Sequence, residues 1–199
     1  ENAELIYGAF TPTYDNAGNR RRDQMVGDGS ASQFYMAYND KNQRTLRAHI
    51  ANGSEWKADT IQYVYDEEGH LIGEYGSNGV PIVEYIWYKN NPIAAIYGES
   101  ATIYWIVTDL NNTPRRLINS SDGSSIVWSW DSTAFGVGVP EIETFKFHLR
   151  FPGQVYDELT KQFYNHNRYY NPELGRYMEP DPAGLEFNPN PYVYANNNP

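Results

Sequence analysis

Six prolines fall within the 32 residues from Arg168 to Pro199, and this punctuation excludes both a long helix and a central strand from the whole stretch. Each proline fixes φ and removes an amide donor, so a helical or ladder bond is lost wherever one stands. What remains is an ordered series of turns with short extended pieces between them. The extended pieces are Arg168 to Tyr170, Gly175 to Met178 and Tyr192 to Tyr194; the turn signals are Asn171-Pro172-Glu173-Leu174-Gly175 and Asp181-Pro182-Ala183-Gly184.

The rest of the chain reads as strands. It carries 18 Tyr, 5 Trp and 8 Phe, and aromatic rings favour pleated surfaces where they pack over cross-strand neighbours. Three segments share one skeleton: Tyr14-Asp15-Asn16-Ala17-Gly18-Asn19-Arg20, Tyr38-Asn39-Asp40-Lys41-Asn42-Gln43-Arg44 and Tyr65-Asp66-Glu67-Glu68-Gly69-His70-Leu71, with their tyrosines 24 and 27 residues apart. Each is an aromatic strand end, an Asp or Asn that can cap a turn, a Gly or Asn able to take positive φ, and a returning strand. Looser turns follow at Ser77-Asn78-Gly79, Lys89-Asn90-Asn91-Pro92, Gly98-Glu99-Ser100, Asn111-Asn112-Thr113-Pro114 and Asp122-Gly123.

Period-2 alternation places Ile61, Tyr63 and Tyr65 opposite Gln62 and Val64, and Val83, Tyr85 and Trp87 opposite Glu84, Ile86 and Tyr88. It places Ile126, Trp128 and Trp130 opposite Val127 and Ser129, and Phe145, Phe147 and Leu149 opposite Lys146, His148 and Arg150. No helix is expected. The polar stretch from Gly27 to Asp59 reads equally as a loop or as further structure. The fold class is therefore all-β, with about a dozen strands.

Charge and composition exclude several functions. Lys and Arg number 15 against 25 Asp and Glu, a net charge of −10, which repels phosphate backbones and argues against nucleic acid as a partner. There is no cysteine, so disulfides and thiolate metal sites are excluded. No apolar run is long enough for a membrane span, and no secretory leader opens the chain; a start at Glu1 points to a piece of something longer. His49, His70, His148 and His166 lack metal-ligand spacing, and the acidic turns lack the spacing of a calcium loop, so neither a metal nor another cofactor is expected.

The C-terminal pattern, Arg168-Tyr169-Tyr170-Asn171-Pro172 through Gly175-Arg176-Tyr177 and Asp181-Pro182-Ala183-Gly184-Leu185, then Tyr192-Val193-Tyr194 and Asn198-Pro199, resembles the C-terminal repeat-associated core of the RHS/YD-repeat family. Tyr65 to Tyr75, Thr113 to Arg116, Trp128 to Phe135 and Arg150 to Tyr156 look like earlier landmarks of the same core, in the family's order. The resemblance divides the chain into degenerate YD repeats with a loop-rich segment at 1–59 and the core at 60–199, whose last part, 168–199, is a turn-rich plug. At Val107 to Asn112 members often have H-x-D-x-x-G; the His and Gly are missing here.

The resemblance implies a β-hairpin spiral sheet forming part of a hollow Rhs shell, or β-cocoon, closed by the core plug around a C-terminal toxin cargo domain of a polymorphic toxin. Its implied partners are upstream YD-repeat shell segments and that cargo. It also implies a bacterial secreted or delivered effector, of the kind used in type VI secretion and interbacterial competition. In many members the core cuts the chain just after itself by an intramolecular aspartyl-protease-like reaction. Such autoproteolysis needs two close carboxylates, one ionised to activate water and one protonated to donate. Asp181 matches the family's first acid and Arg176 the Arg of its Gly-Arg-aromatic motif, where a guanidinium can orient a carboxylate or stabilise an oxyanion. The second acid and the cleavage signal are expected beyond Pro199, so this chain holds half a site. Glu179, Glu186, Asp157 and Glu158 are expected to face solvent.

Two other readings stand beside this one. Exposed Tyr and Trp with Asn-rich loops fit a carbohydrate- or protein-binding adhesion module. A free-standing enzyme ranks last, since no complete catalytic set is visible.

Overall fold

Three turns of this protein are closed in the same way by one side chain each. The backbone N–H groups of Asn39, Asp66 and Asp109 donate to the carbonyls of Gln43, His70 and Thr113, and their side-chain Oδ1 atoms accept the N–H groups of Gln43, His70 and Thr113 in turn. The fourth residue of each turn is left-handed: Asn42, Gly69 and Asn112 have φ of 59°, 92° and 63°. That conformation costs most residues about 1–2 kcal/mol and is taken most readily by Gly, Asn and Asp. The turn at Asp109 is thus a third copy of the turns after Tyr38 and Tyr65, with Asn112 where Gly69 stands in the second.

The computed structural model describes residues 13–14, 20–24, 33–50, 59–158, 160–184 and 189–199. The expected turn after Tyr14 lies outside them. Twelve strands form one antiparallel meander in chain order: β1 (Thr13–Tyr14), β2 (Arg20–Gln24), β3 (Gln33–Tyr38), β4 (Arg44–Ile50), β5 (Asp59–Tyr65), β6 (Leu71–Gly76), β7 (Pro81–Tyr88), β8 (Asn91–Tyr97), β9 (Thr102–Thr108), β10 (Pro114–Asn119), β11 (Ile126–Ser129) and β12 (Ile142–Glu143). A second sheet contains β13 (Val155–Asp157), β14 (Gln162–Asn165), β15 (Arg168–Asn171) and β16 (Arg176–Tyr177). Pro81 and Pro114 open their strands, where a missing amide is harmless, and Pro92 pairs beside a register slip between Ile86 and Trp87.

One face of the large sheet carries the core. Tyr63, Val83, Tyr85, Leu117 and Trp128 are buried there against Phe147, Leu149, Phe163, Tyr169 and Tyr170. The alternation expected in β5 and β7 holds: Val64, Ile86 and Tyr88 are exposed on the other side. On that outer face Ile86, Ala94, Trp105, Ile118 and Ile126 are cross-strand neighbours in one row over five strands.

One open reading is decided and two local expectations are corrected. The stretch from Gly27 to Asp59 contains β3 and β4, whose polar residues Arg44 and Arg47 face the core rather than solvent. Ile126 lies on the outer face, because the register shifts between Leu117 and Ile118 and reverses the alternation of β11. Phe145 to Arg150 is an extended segment with a single bridge at Leu149 rather than a half-exposed strand, and His148 and Arg150 are buried along with Phe147 and Leu149. From Phe147 on, both sides of the segment are covered, whereas Lys146 stays exposed.

Candidate functional site

Asp181 stands where the second sheet runs out of ladder. β15 and β16 pair at Tyr170 with Tyr177 and at Asn171 with Arg176, joined by a turn in which Asn171 Oδ1 accepts the Leu174 N–H at 3.1 Å. The Met178 N–H still donates to the Tyr169 carbonyl at 2.8 Å. Pro180 and Pro182 then deny the sheet further donors, and the chain turns away. Asp181 closes that turn through its own side chain, Oδ1 accepting the Ala183 N–H at 2.9 Å, while its N–H donates to the Pro191 carbonyl at 2.9 Å.

The guanidinium in contact with Asp181 is that of Arg168, its Nη1 3.0 Å from Oδ2. Arg168 lies flat over the Tyr177 ring, 3.6 Å from its centroid, which fixes its direction. Arg176 is exposed and lies over the Tyr192 ring at 4.6 Å, and its backbone bridges to Val193. The structure therefore joins Asp181 to Arg168 and joins Arg176 to the returning segment. Arg168 went unassigned in the sequence. The available signal was Pro180 and Pro182, which turn Asp181 back towards the start of β15.

Tyr194 returns into the core, its ring 4.2 Å from that of Tyr170 and stacked 6.1 Å from Phe151. Burial pushes its phenol up to about 12. Beyond it Ala195, Asn196 and Asn197 all have positive φ (44°, 52° and 60°), one left-handed turn closed by the Asn197 N–H on the Tyr194 carbonyl.

Of the acids expected in solvent, Asp157 and Glu179 are buried, at 1% and 6% exposure. Asp157 Oδ2 and Oδ1 take Arg44 Nη1 and Arg47 Nη1, each at 3.0 Å. Glu179 Oε2 accepts the Tyr169 N–H at 2.7 Å. Both were misread because their partners lie far along the chain or on the backbone. Glu158 is partly exposed and pairs with Lys146 at 3.0 Å; Glu186 lies outside the described residues.

A second buried pair sits close by: Glu74 Oε2 is 2.7 Å from His148 Nδ1, and Glu74 Oε1 accepts the Tyr85 hydroxyl at 2.6 Å. With the Arg44, Arg47 and Asp157 cluster it forms a polar seam between the two sheets. Isolated buried charges are very costly, so such groups persist only paired. Arg44 is further enclosed by the rings of Tyr63 and Tyr164, each at 4.6 Å.

At the turn end of the sheets lies a cavity of about 320 Å³, lined by Trp87, His70, Asn90, Asn112, Phe151 and His166 among others. Asp66, Glu68 and His70 bring potential metal-ligand atoms within 4.8 Å of one another, but His70 Nδ1 is already 2.8 Å from Asp66 and its Nε2 3.0 Å from Asn90. No helix among the described residues is long and apolar enough to cross a membrane.

Among the described residues, a sixteen-strand antiparallel architecture with turn-borne Asp and Asn caps and a proline-punctuated end defines a YD-type shell segment. Residues 73–199 match the family model of the Teneurin YD-shell, and the chain belongs to that family. Among curated proteins it is 39% identical over 99 residues to the toxin protein Tse5 of Pseudomonas aeruginosa, a match covering 50% of this chain and 7% of that protein. It is 27% identical to the probable deoxyribonuclease RhsA of Dickeya dadantii (92% of this chain, 14% of that protein) and 28% identical to the double-stranded DNA deaminase toxin A of Burkholderia cenocepacia (81% and 13%). The chain thus spans a small part of each relative. A crystal structure of TcdB2-TccC3 superposes with a TM-score of 0.73 at 18% identity, covering 96% of this chain and 10% of that one. The Photorhabdus luminescens Tc holotoxin pore gives the same TM-score at 17% identity, with the same coverage of both chains. These likenesses establish the fold. The Rhs/YD-repeat resemblance seen in the sequence stands, and the chain is a shell segment of that type.

Proposed function

We propose that this chain is the closing part of an Rhs-type shell that encloses a C-terminal toxin domain, with 1–59 as degenerate repeats, 60–199 as the core and 168–199 as its plug. We further propose that Asp181 supplies one of two acids of an aspartyl-protease-like self-cleavage site, the second acid following in the full-length chain. The observation that carries this reading is Asp181 itself. It is a carboxylate fixed by Arg168 at 3.0 Å and by its own turn, partly open to solvent, and bonded through its N–H to the segment returning at Pro191. A chain continuing past Pro199 starts close to the plug that carries the acid. Relatives named as a deoxyribonuclease and a DNA deaminase toxin, and a neighbouring structure described as lacking a hypervariable C-terminal region, support a variable cargo after a common shell.

Arg168 orients the Asp181 carboxylate, and Arg176 holds the returning strand through Tyr192 and Val193. In this proposal the upstream partner adds to β1, a reading supported by β1 pairing only with β2 among the described residues; a sheet edge takes further strands readily. Delivery as a secreted effector, type VI export and a role in interbacterial competition belong to the same proposal, which is supported by relatives named as toxins.

In the full-length chain, Asp181→Asn is expected to abolish cleavage with the fold retained, since the amide is nearly isosteric but cannot exchange the proton. Arg176→Ala is expected to slow it more mildly. A gel on which the Asp181→Asn chain is still cut would overturn the assignment.

A second reading, an adhesion module, is favoured by the outer-face row centred on Trp105, which is 49% exposed. Binding on a glycan array that Trp105→Ala abolishes would move the preference to it.

A further inference from the structure

Between Met178 and Asp181 the second sheet is held by side chains instead of by its backbone. The last regular contact is the Met178 N–H on the Tyr169 carbonyl. Residue 180 is proline, which offers no donor, so the ladder cannot continue through it. The Tyr169 N–H, on a strand residue only 2% exposed, lies at that point. The Glu179 carboxylate takes it at 2.7 Å. One residue earlier in β15 and two later in the departing segment, the Asp181 carboxylate takes the Arg168 guanidinium at 3.0 Å. Two adjacent residues of β15 are thus tied to two acids on either side of Pro180.

We infer that Glu179 is a positioning residue for Asp181, an inference that rests on the self-cleavage reading above. Its buried carboxylate, seated on a strand amide that cannot move without opening the sheet, sets where the Pro180-Asp181 peptide leaves β15. That in turn sets the Arg168 to Asp181 contact. Pro180 makes the coupling stiff, because its ring fixes φ between the two acids. A group held this way needs no substrate to align it, and misplacement of a reacting group by about 1 Å can cost on the order of a hundredfold in rate. Glu179 itself touches no reacting atom in this arrangement; it acts through Asp181.

The test uses the full-length chain with four variants: Asp181→Asn, Glu179→Gln, Glu179→Asp and Glu179→Ala. Glutamine keeps an acceptor oxygen at the same reach, so cleavage is expected within about threefold of the parent. Aspartate keeps the charge but is one methylene shorter, so it either drags the segment inward or releases the amide; cleavage is expected to fall at least about tenfold in chains whose melting temperature shows them folded. Alanine is expected to do the same and to speed hydrogen exchange at the Tyr169 amide. Rescue by Gln, with loss in Asp at equal folded fraction, is the signature that a merely structural role does not give. If Asp181→Asn still cleaves, the self-cleavage reading falls. If Asp181→Asn is dead while Glu179→Asp, folded, cleaves at the parental rate, that reading survives and the positioning role is overturned. Should Glu179→Ala fail to fold, the Asp and Gln pair decides alone.

Discussion

Arg44 and Asp157, 113 residues apart in sequence, meet at 3.0 Å with both side chains buried. Arg47 takes the other oxygen of the same carboxylate, so one acid of the second sheet holds two guanidinium groups of β4. This junction ties the C-terminal sheet to the shell wall. Removing one partner of a buried pair leaves uncompensated charge, which typically costs about 3–5 kcal/mol. Asp157→Asn is therefore expected to lower unfolding stability by about that amount, measured by urea denaturation; Arg44→Met is expected to cost less, because Asp157 keeps Arg47. A loss below about 1 kcal/mol for Asp157→Asn, the size of a surface pair, would show that the seam contributes little.

Stability is expected to fall at both ends of the pH range, for different groups. Burial acts to raise the Glu74 carboxyl, but His148, the Tyr85 hydroxyl and Arg47 outweigh it and hold it below the ordinary value. A depressed acid stabilises the fold above its unfolded pKa of about 4.3 and loses that contribution as pH falls through the folded value. Burial pushes the Tyr63 phenol the other way, up to about 12. Its contribution is intact below the unfolded value of about 10 and is lost as pH rises towards the folded one. Glu74→Gln should flatten the acid limb of a melting-temperature profile, and Tyr63→Phe the alkaline limb. Unchanged limbs in either variant would reject the corresponding assignment.

The shared turn geometry makes Asp66, Asp109 and Asn39 equivalent. Replacing any of them by Ala removes at least two side-chain hydrogen bonds within the turn and is expected to cost roughly 1–2 kcal/mol. Asn112→Gly should be nearly neutral, since both residues accept positive φ, whereas Asn112→Ala should cost about 1 kcal/mol. Thermal melts of the five variants test this; an Asn112→Ala chain as stable as the parent would show that the left-handed backbone carries no strain there.

What the sequence made legible was local. Turn chemistry after Tyr38 and Tyr65 and the alternation of Val83, Tyr85 and Trp87 depend on residues within a few positions of each other. The proline spacing located β15, β16 and the Asp181 turn for the same reason. The buried charges were not legible, because a charged residue is read as solvated unless its partner is known. Arg44 and Asp157 find each other only after two sheets stack. β4 was obscured by Arg44 and Arg47, which interrupt its apolar pattern. Ile126 was misplaced because a register slip leaves no mark in composition. At the candidate site Asp181 was readable from its motif, while Arg168 and Glu179 became visible only with the path taken after Pro180.

The last expectation concerns how the loop between β11 and β12 is seated. Gly136 has φ of 87°, and a Cβ there would meet Phe151 Cε2 at 2.9 Å and Phe163 Cε2 at 3.0 Å. Phe135 beside it accepts the Tyr170 hydroxyl on its carbonyl at 2.7 Å, so a displaced loop also disturbs β15. Gly123 provides the control, with φ of 66° and nothing within 4 Å of an added Cβ. Alanine at Gly123 should cost only the left-handed backbone, about 1–2 kcal/mol. At Gly136 it should cost that and the overpacking of two core rings, a further 1–3 kcal/mol or so. Phe151 and Phe163 are core residues with rotamers fixed by Trp130 and Tyr170, which leaves them little room to give. Chemical denaturation of the two variants side by side isolates the packing contribution as their difference. Equal losses would mean that the loop moves away from the rings at no cost, and that the contact between this loop and the C-terminal sheet does not hold the plug in place.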